Sequence, residues 1–165
     1  PTHDENDPQY IFYTECLKIN GQNRFLPVFY QIKKIEHKPK KSIKQYKTET
    51  LHDVSKLPIH SAIASIKRSL EDDLGYDINN NLPNLDHQDT EDALYSLKSF
   101  YSSVIREYLQ HDRIPPDKEM AQALSIIRKV RNQSNDYFYD IHWGNIMFRY
   151  SGGLYTPVFN DPLAA

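Results

Sequence analysis

Asp140-Ile-His-Trp-Gly-Asn145-Ile-Met-Phe148 is the stretch whose residue types and spacing could do chemistry. An acid, an amide five positions later and an apolar run form a phosphate-handling pattern, and they read as a loop running into a strand. Residues 146–150 and 154–159 are strand-like runs on either side of Ser151-Gly152-Gly153, and this hairpin ends in a second acid, within Asn160-Asp161-Pro162. The plain alternative is that Asp140 and Asn145 only cap a loop between a helix and a hairpin, because Asx side chains favour turns.

Taken together, Asp140, His142, Gly144, Asn145 and Asp161 resemble the kinase-like superfamily. Within it they are most similar to the aminoglycoside-phosphotransferase-like and phage-encoded protein-kinase-like branch, where Asp-Leu-His-x-Gly-Asn replaces the eukaryotic His-Arg-Asp wording. The resemblance implies that Asp140 accepts the proton of the attacking hydroxyl, that Asn145 and Asp161 hold magnesium on the nucleotide phosphates, and that His142 shapes the loop or touches phosphate. ATP and magnesium are the implied cofactors. Phe138-Tyr139 stand where His-Arg would be and Pro162-Leu163 where Phe-Gly would be, so regulation through a phosphorylated activation loop is not expected.

The implied fold is α+β, a truncated or minimal protein-kinase-like fold. It has a partial small lobe over 1–51, with helix, β-hairpin and hinge, and a mainly helical large lobe over 52–165 that carries the catalytic loop and metal-site hairpin. The phrase Phe25-Leu-Pro-Val-Phe-Tyr30 is similar to a strand opening of phage kinase-like proteins. The hinge then falls at Glu49, Thr50 and Leu51, whose backbone groups would hold an adenine edge. A full kinase also needs a Gly-rich strand-turn-strand and a strand lysine on the phosphates, and no Gly-x-Gly-x-x-Gly occurs in this sequence. The chain therefore reads as a fragment of a longer protein or as a reduced relative. The expected function is nucleotide and magnesium binding, with full or residual phosphotransfer to a protein Ser or Thr hydroxyl. The rival is an inactive pseudokinase-like phage module that binds and inhibits a host protein.

The remaining sequence says what must position these residues. Asp7-Pro8 opens a helix with the stripe Tyr10, Ile11, Tyr13, Thr14, Leu17 and Lys18, and Asn20-Gly21 stops it. Glu15 on this helix is a candidate partner for a nucleotide-binding lysine or a solvated surface acid. Residues 29–32 and 43–50 read as a hairpin with a basic connection, in which Lys38, Lys40, Lys41 and Lys44 form a solvated turn rather than a nucleic-acid patch. Ile59, Ile63, Ile66 and Leu70 predict a packed helix, and 71–88, with three consecutive Asn, predicts a long polar loop. Asp89 caps a long helix whose stripe is Leu94, Leu97, Tyr101, Val104 and Tyr108. A last helix carries Met120, Leu124, Ile127 and Val130.

Length and composition bound the class. The 165 residues suit one domain or a lobe and a half of a larger fold. Twenty Lys and Arg against 22 Asp and Glu leave a formal charge of -2, which gives no overall field towards nucleic acid or a membrane surface. The single Cys16 excludes an internal disulfide, and no stretch is apolar enough to span a bilayer, so a cytoplasmic protein is expected, in the host cytoplasm if viral. The 12 tyrosines are spread over the predicted elements rather than alternating with Arg, so packing explains them better than base stacking. His52, Asp53 and His60 lack a second ligand cluster and read as surface residues rather than a zinc site.

Overall fold

The computed structural model describes the main chain of residues 2–4, 6–36 and 42–165, and side chains over 6–30 and 47–165. The architecture is α+β. A short strand β1 (Thr2–Asp4) leads into helix α1 (Pro8–Lys18), and β2 (Phe29–Glu36) and β3 (Ser42–Thr48) follow as an antiparallel pair. β1 adds to the other edge of β3, with Thr2 opposite Gln45, so the sheet order is β1-β3-β2. The sequence shows β2 and β3 by their β-branched and aromatic residues. The three-residue β1 lies in a polar stretch with no alternation, and only its pairing with β3 makes it a strand. The connection holding Lys38, Lys40 and Lys41 lies outside the described residues.

Helix α1 starts where Asp7 accepts a hydrogen bond from Gln9 N at 2.9 Å, with Pro8 in its first turn. Helix α2 (Ile59–Arg68) runs on into a π-type turn over Ser69–Asp73, and then come the single-turn helix α3 (Ile78–Asn81) and a 3-10 turn over Leu85–His87. This corrects the long polar loop expected over 71–88. Leu74, Ile78 and Leu85 are buried there, and Asp77 caps α3 by accepting from Asn79 N and Asn80 N. Gly75 and Pro83 interrupt any single helix here, and the three apolar anchors fold the segment back onto α4.

The long helices are α4 (Thr90–Gln110), capped by Asp89, and α5 (Lys118–Arg131), capped by Asp117. Leu97, Tyr101, Val104, Ile105, Tyr108 and Leu109 of α4, and Met120, Leu124, Ile127 and Val130 of α5, are buried at helical spacing. Helix α2 packs on α4, and α1 packs on α5. The core is continuous from Phe12 of α1 through Phe25 and Phe29 to Phe148, Phe159 and Leu163, so the segments on both sides of position 51 share it.

The last part of the chain is strand β4 (Phe138–Tyr139), the hairpin β5 (Ile146–Ser151) and β6 (Leu154–Phe159), and strand β7 (Leu163–Ala164). The hairpin turns through Gly152 and Gly153, both at positive φ, which is the backbone that a two-residue turn between right-twisted strands requires. β4 pairs antiparallel with β7. The two-residue strands thus close a loop around the hairpin and bring both its ends together.

Candidate functional site

The site is built where those two small sheets meet. Tyr139 pairs with Leu163, and the next residue continues the ladder, with Asp140 N donating to Pro162 O at 2.8 Å. Across the base of the hairpin, Asn160 N donates to Asn145 O at 2.9 Å and Asp161 N to the same oxygen at 3.4 Å. The main chain therefore brings Asp140, Asn145 and Asp161 to one place, although 21 residues separate the first from the last.

Side chains complete the loop. Asn145 Nδ2 donates to Asp140 O and to Asp140 Oδ2, each at 3.0 Å. With its amide nitrogen held in this way, Asn145 Oδ1 is the remaining acceptor, beside the Asp140 carboxylate and next to the Asp161 backbone. Gly144 N donates to His142 Nδ1 at 3.0 Å, so the neutral imidazole carries its hydrogen on Nε2. That nitrogen lies 3.5 Å from Asp140 Oδ1. Its 2.9 Å approach to Asn145 Nδ2 is then a contact of two donors rather than a hydrogen bond. A Cβ at position 144 would stand 2.8 Å from His142 Cε1, so a larger residue there would push the imidazole off the Gly144 N–H.

The surroundings fix the loop from beneath. Ile141 is buried, its carbonyl accepts from the Arg106 guanidinium of α4, and Trp143 Nε1 donates to Lys98 O at 3.1 Å. The Trp143 ring stacks on Phe148 at 6.1 Å and 7°. From α1, Gln9 Nε2 donates to Asn160 O at 2.6 Å and Tyr13 OH to the same oxygen at 3.2 Å. Gln9 is buried, and its Oε1 has no partner among the described residues. No sequence feature marks Gln9 or Tyr13 as part of this site. Nothing local marks a helix glutamine that meets a residue 151 positions away.

Glu49, Thr50 and Leu51 lie between β3 and the hairpin. Glu49 N donates to Val28 O at 3.0 Å, and His52 exchanges two main-chain bonds with Phe148, each 2.7 Å. The Glu49 carboxylate accepts from Arg149 Nε at 2.7 Å, and the same guanidinium donates to Arg24 O at 2.6 Å and Leu26 O at 2.9 Å. Among the described residues no hydrogen bond uses the backbone groups of Thr50 or Leu51.

Other candidates go elsewhere. Glu15 pairs with Lys18 at 2.8 Å and with Lys129 of α5 at 3.0 Å, and these lysines hold its carboxyl below the usual range against the opposing effect of burial. Asp53 caps a turn by accepting from Ser55 N and Oγ, and His52 meets Tyr155 edge-on. Among the described residues no group of three or more His, Cys, Asp or Glu could hold a metal ion. Asp140, His142 and Asp161 do not form such a group either, and Asp140, Asn145 and Asp161 offer two carboxylates and an amide oxygen, hard donors of the kind that suits magnesium. No helix among the described residues is long and apolar enough to cross a membrane.

Comparison with protein-family models, with curated proteins and with solved structures finds no match to this chain.

Proposed function

We propose that this chain is a kinase-like domain that binds ATP with magnesium and transfers a phosphoryl group to a protein Ser or Thr hydroxyl. The observation that carries the proposal is the joining of Asp140, Asn145 and the 160–161 pair at the base of the β5–β6 hairpin. A turn-capping role for Asp140 and Asn145 accounts for the Asn145 side-chain bonds. It does not account for the closure that holds the backbone of Asn160 and Asp161 against Asn145.

In this reading Asp140 takes the proton of the acceptor hydroxyl, and the Asn145 amide fixes which carboxylate oxygen stays free to do so. Asn145 Oδ1 and the Asp161 carboxylate hold magnesium, which when bound neutralises charge on the phosphates. Gln9 and Tyr13 steady Asn160, and through it the backbone of Asp161. His142 Nε2–H, beside Asp140 Oδ1, is a donor for the acceptor or a phosphate oxygen. The backbone groups of Thr50 and Leu51 would take the adenine edge.

One observation favours the rival reading of an inactive module that captures a partner protein. Glu15, the acid that a strand lysine would need, is already paired with Lys129 and mostly buried. Phosphate transfer from labelled ATP to a mixed protein acceptor separates the two. Asp140→Asn, which preserves a side chain able to bond Asn145, should abolish transfer and leave nucleotide binding largely intact. Transfer undiminished in Asp140→Asn would assign the base elsewhere, and a wild-type protein that binds nucleotide without transfer would favour the module.

A further inference from the structure

A cleft of about 330 Å³ opens between α4 and the 142–143 part of the loop. Lys98, Ser99, Ser103 and Arg106 of α4 line one wall, and His142 and Trp143 line the other. No carboxylate is among the described residues that line it, although the chain as a whole is slightly acidic, at -2. Asp53 is close enough to feel the Lys98 charge, but Ser55 N and Oγ already bond its carboxylate, at 2.8 Å and 2.6 Å.

The cationic groups are held in place. One Arg106 nitrogen donates to Ile141 O, which anchors the guanidinium on the loop and leaves further N–H groups of its fork to a ligand. Lys98 Nζ stands 5.8 Å from the Trp143 ring centre. Eight residues of helix separate Lys98 from Arg106, so the wall runs for about 12 Å, the length of three to four extended residues. The exposed hydroxyls of Ser99 and Ser103 lie between them. At the loop end His142 reaches within 3.5 Å of Asp140 Oδ1, so whatever fills the cleft ends beside that carboxylate.

We propose that this cleft binds an extended acidic peptide, with a carboxylate or phosphate side chain between Lys98 and Arg106, a few residues from the hydroxyl presented to Asp140. The inference rests on the phosphotransferase reading for the role of that hydroxyl, but binding itself needs neither nucleotide nor metal. Acidic acceptor segments are selected by charge, and basic ones are repelled.

Trp143 is the single tryptophan of the chain and lines the cleft, so its fluorescence reports occupancy directly. The wild-type protein is titrated, without ATP or magnesium, with synthetic Ser peptides whose flanking residues are Asp and Glu, phosphoserine, or Lys, and with inorganic phosphate. The two acidic peptides should give a saturable change that weakens with salt, and the Lys peptide none. Lys98→Glu should weaken the acidic peptides at least about tenfold, the loss of one hydrogen bond between charged groups, and Lys98→Arg should keep them. Ser103→Glu, at an exposed position where folding is not at stake, should weaken them as well. Equal binding of the Lys peptide, no acidic peptide binding, or acidic binding unchanged in both glutamate variants overturns the proposal. Phosphate alone binding as tightly as the peptides would also overturn it, as a simple anion site. Peptide binding without any phosphate transfer would sink the kinase reading and leave the cleft standing.

Discussion

Arg149→Met should be the most damaging single substitution away from the core, because one side chain ties together three segments distant in sequence. Its guanidinium bonds Glu49 after β3 and the carbonyls of Arg24 and Leu26 before β2. The Glu49 side chain is 8% exposed and that of Arg149 21%. Methionine fills much of the same volume, so what is lost is polar. Removing one partner of a buried ion pair costs about 3–5 kcal/mol, because the remaining charge is left uncompensated. The partial exposure of Arg149 admits water to Glu49, which places the expected loss near the lower end, at about 3 kcal/mol. For a chain of this length that lowers the melting temperature by roughly 6–12 °C. Urea unfolding followed by circular dichroism would measure it. The double variant Glu49→Leu with Arg149→Met should recover part of the loss, since no buried charge then lacks a partner. A loss under about 1 kcal/mol, or a double variant no more stable than Arg149→Met, would refute the view that this pair joins the 49–51 segment to the hairpin.

Arg24→Met tests the other ion cluster, in which Arg24 meets Asp73 at 2.8 Å, Asp117 at 2.6 Å and Glu119. Burial alone would raise Asp117, but Arg24 and the α5 N-terminus outweigh it and hold the carboxyl below its ordinary 3.8, so the stability this pair supplies is present above that value and lost as pH falls. Burial raises Asp73 despite Arg24, and without the guanidinium it should rise further, which makes the variant gain stability as pH falls. The variant should therefore lie about 2 kcal/mol below wild type at neutral pH, discounted for the exposure of Arg24, and the gap should narrow below about pH 4. A gap that stays constant or widens in acid would contradict the assignment. Tyr101→Phe deletes the buried 2.9 Å bond to Ser69 Oγ in the π-type turn and should cost about 1–2 kcal/mol in thermal unfolding. The further change Ser69→Ala should cost more again, because the Ser69 hydroxyl also bonds the Asp73 carboxyl, and no added loss would mean that this second bond contributes nothing.

The elements around the site were readable because their signals are local. Asp7, Asp89 and Asp117 cap helices through bonds to residues two or three positions on, and the α4 and α5 stripes repeat every three or four residues. The β5–β6 hairpin announces itself by alternation about two glycines. The pieces that assemble the site carry no such signal. β4 and β7 are two residues each, and they are strands only because they meet across the hairpin. The Gln9 and Tyr13 bonds to Asn160, and the Arg149 bonds to Glu49, Arg24 and Leu26, join residues 100 or more positions apart. Residues 71–88 are polar in composition, yet Leu74, Ile78 and Leu85 are placed so that a turn and two short helices can bury them.

The central claim is that Asp140, Asn145 and Asp161 form a metal and nucleotide site rather than a capped turn. Calorimetric titration with ATP, with and without magnesium, on the wild-type protein and on Asp161→Asn, tests it most directly. The wild type should bind ATP more tightly with magnesium, and a ligand at 100 times its Kd should add about 2.7 kcal/mol of stability. Asp161→Asn should remain folded and lose the magnesium-dependent part of the binding. Binding of ATP that ignores both magnesium and Asp161, or no binding at millimolar nucleotide, would contradict the account.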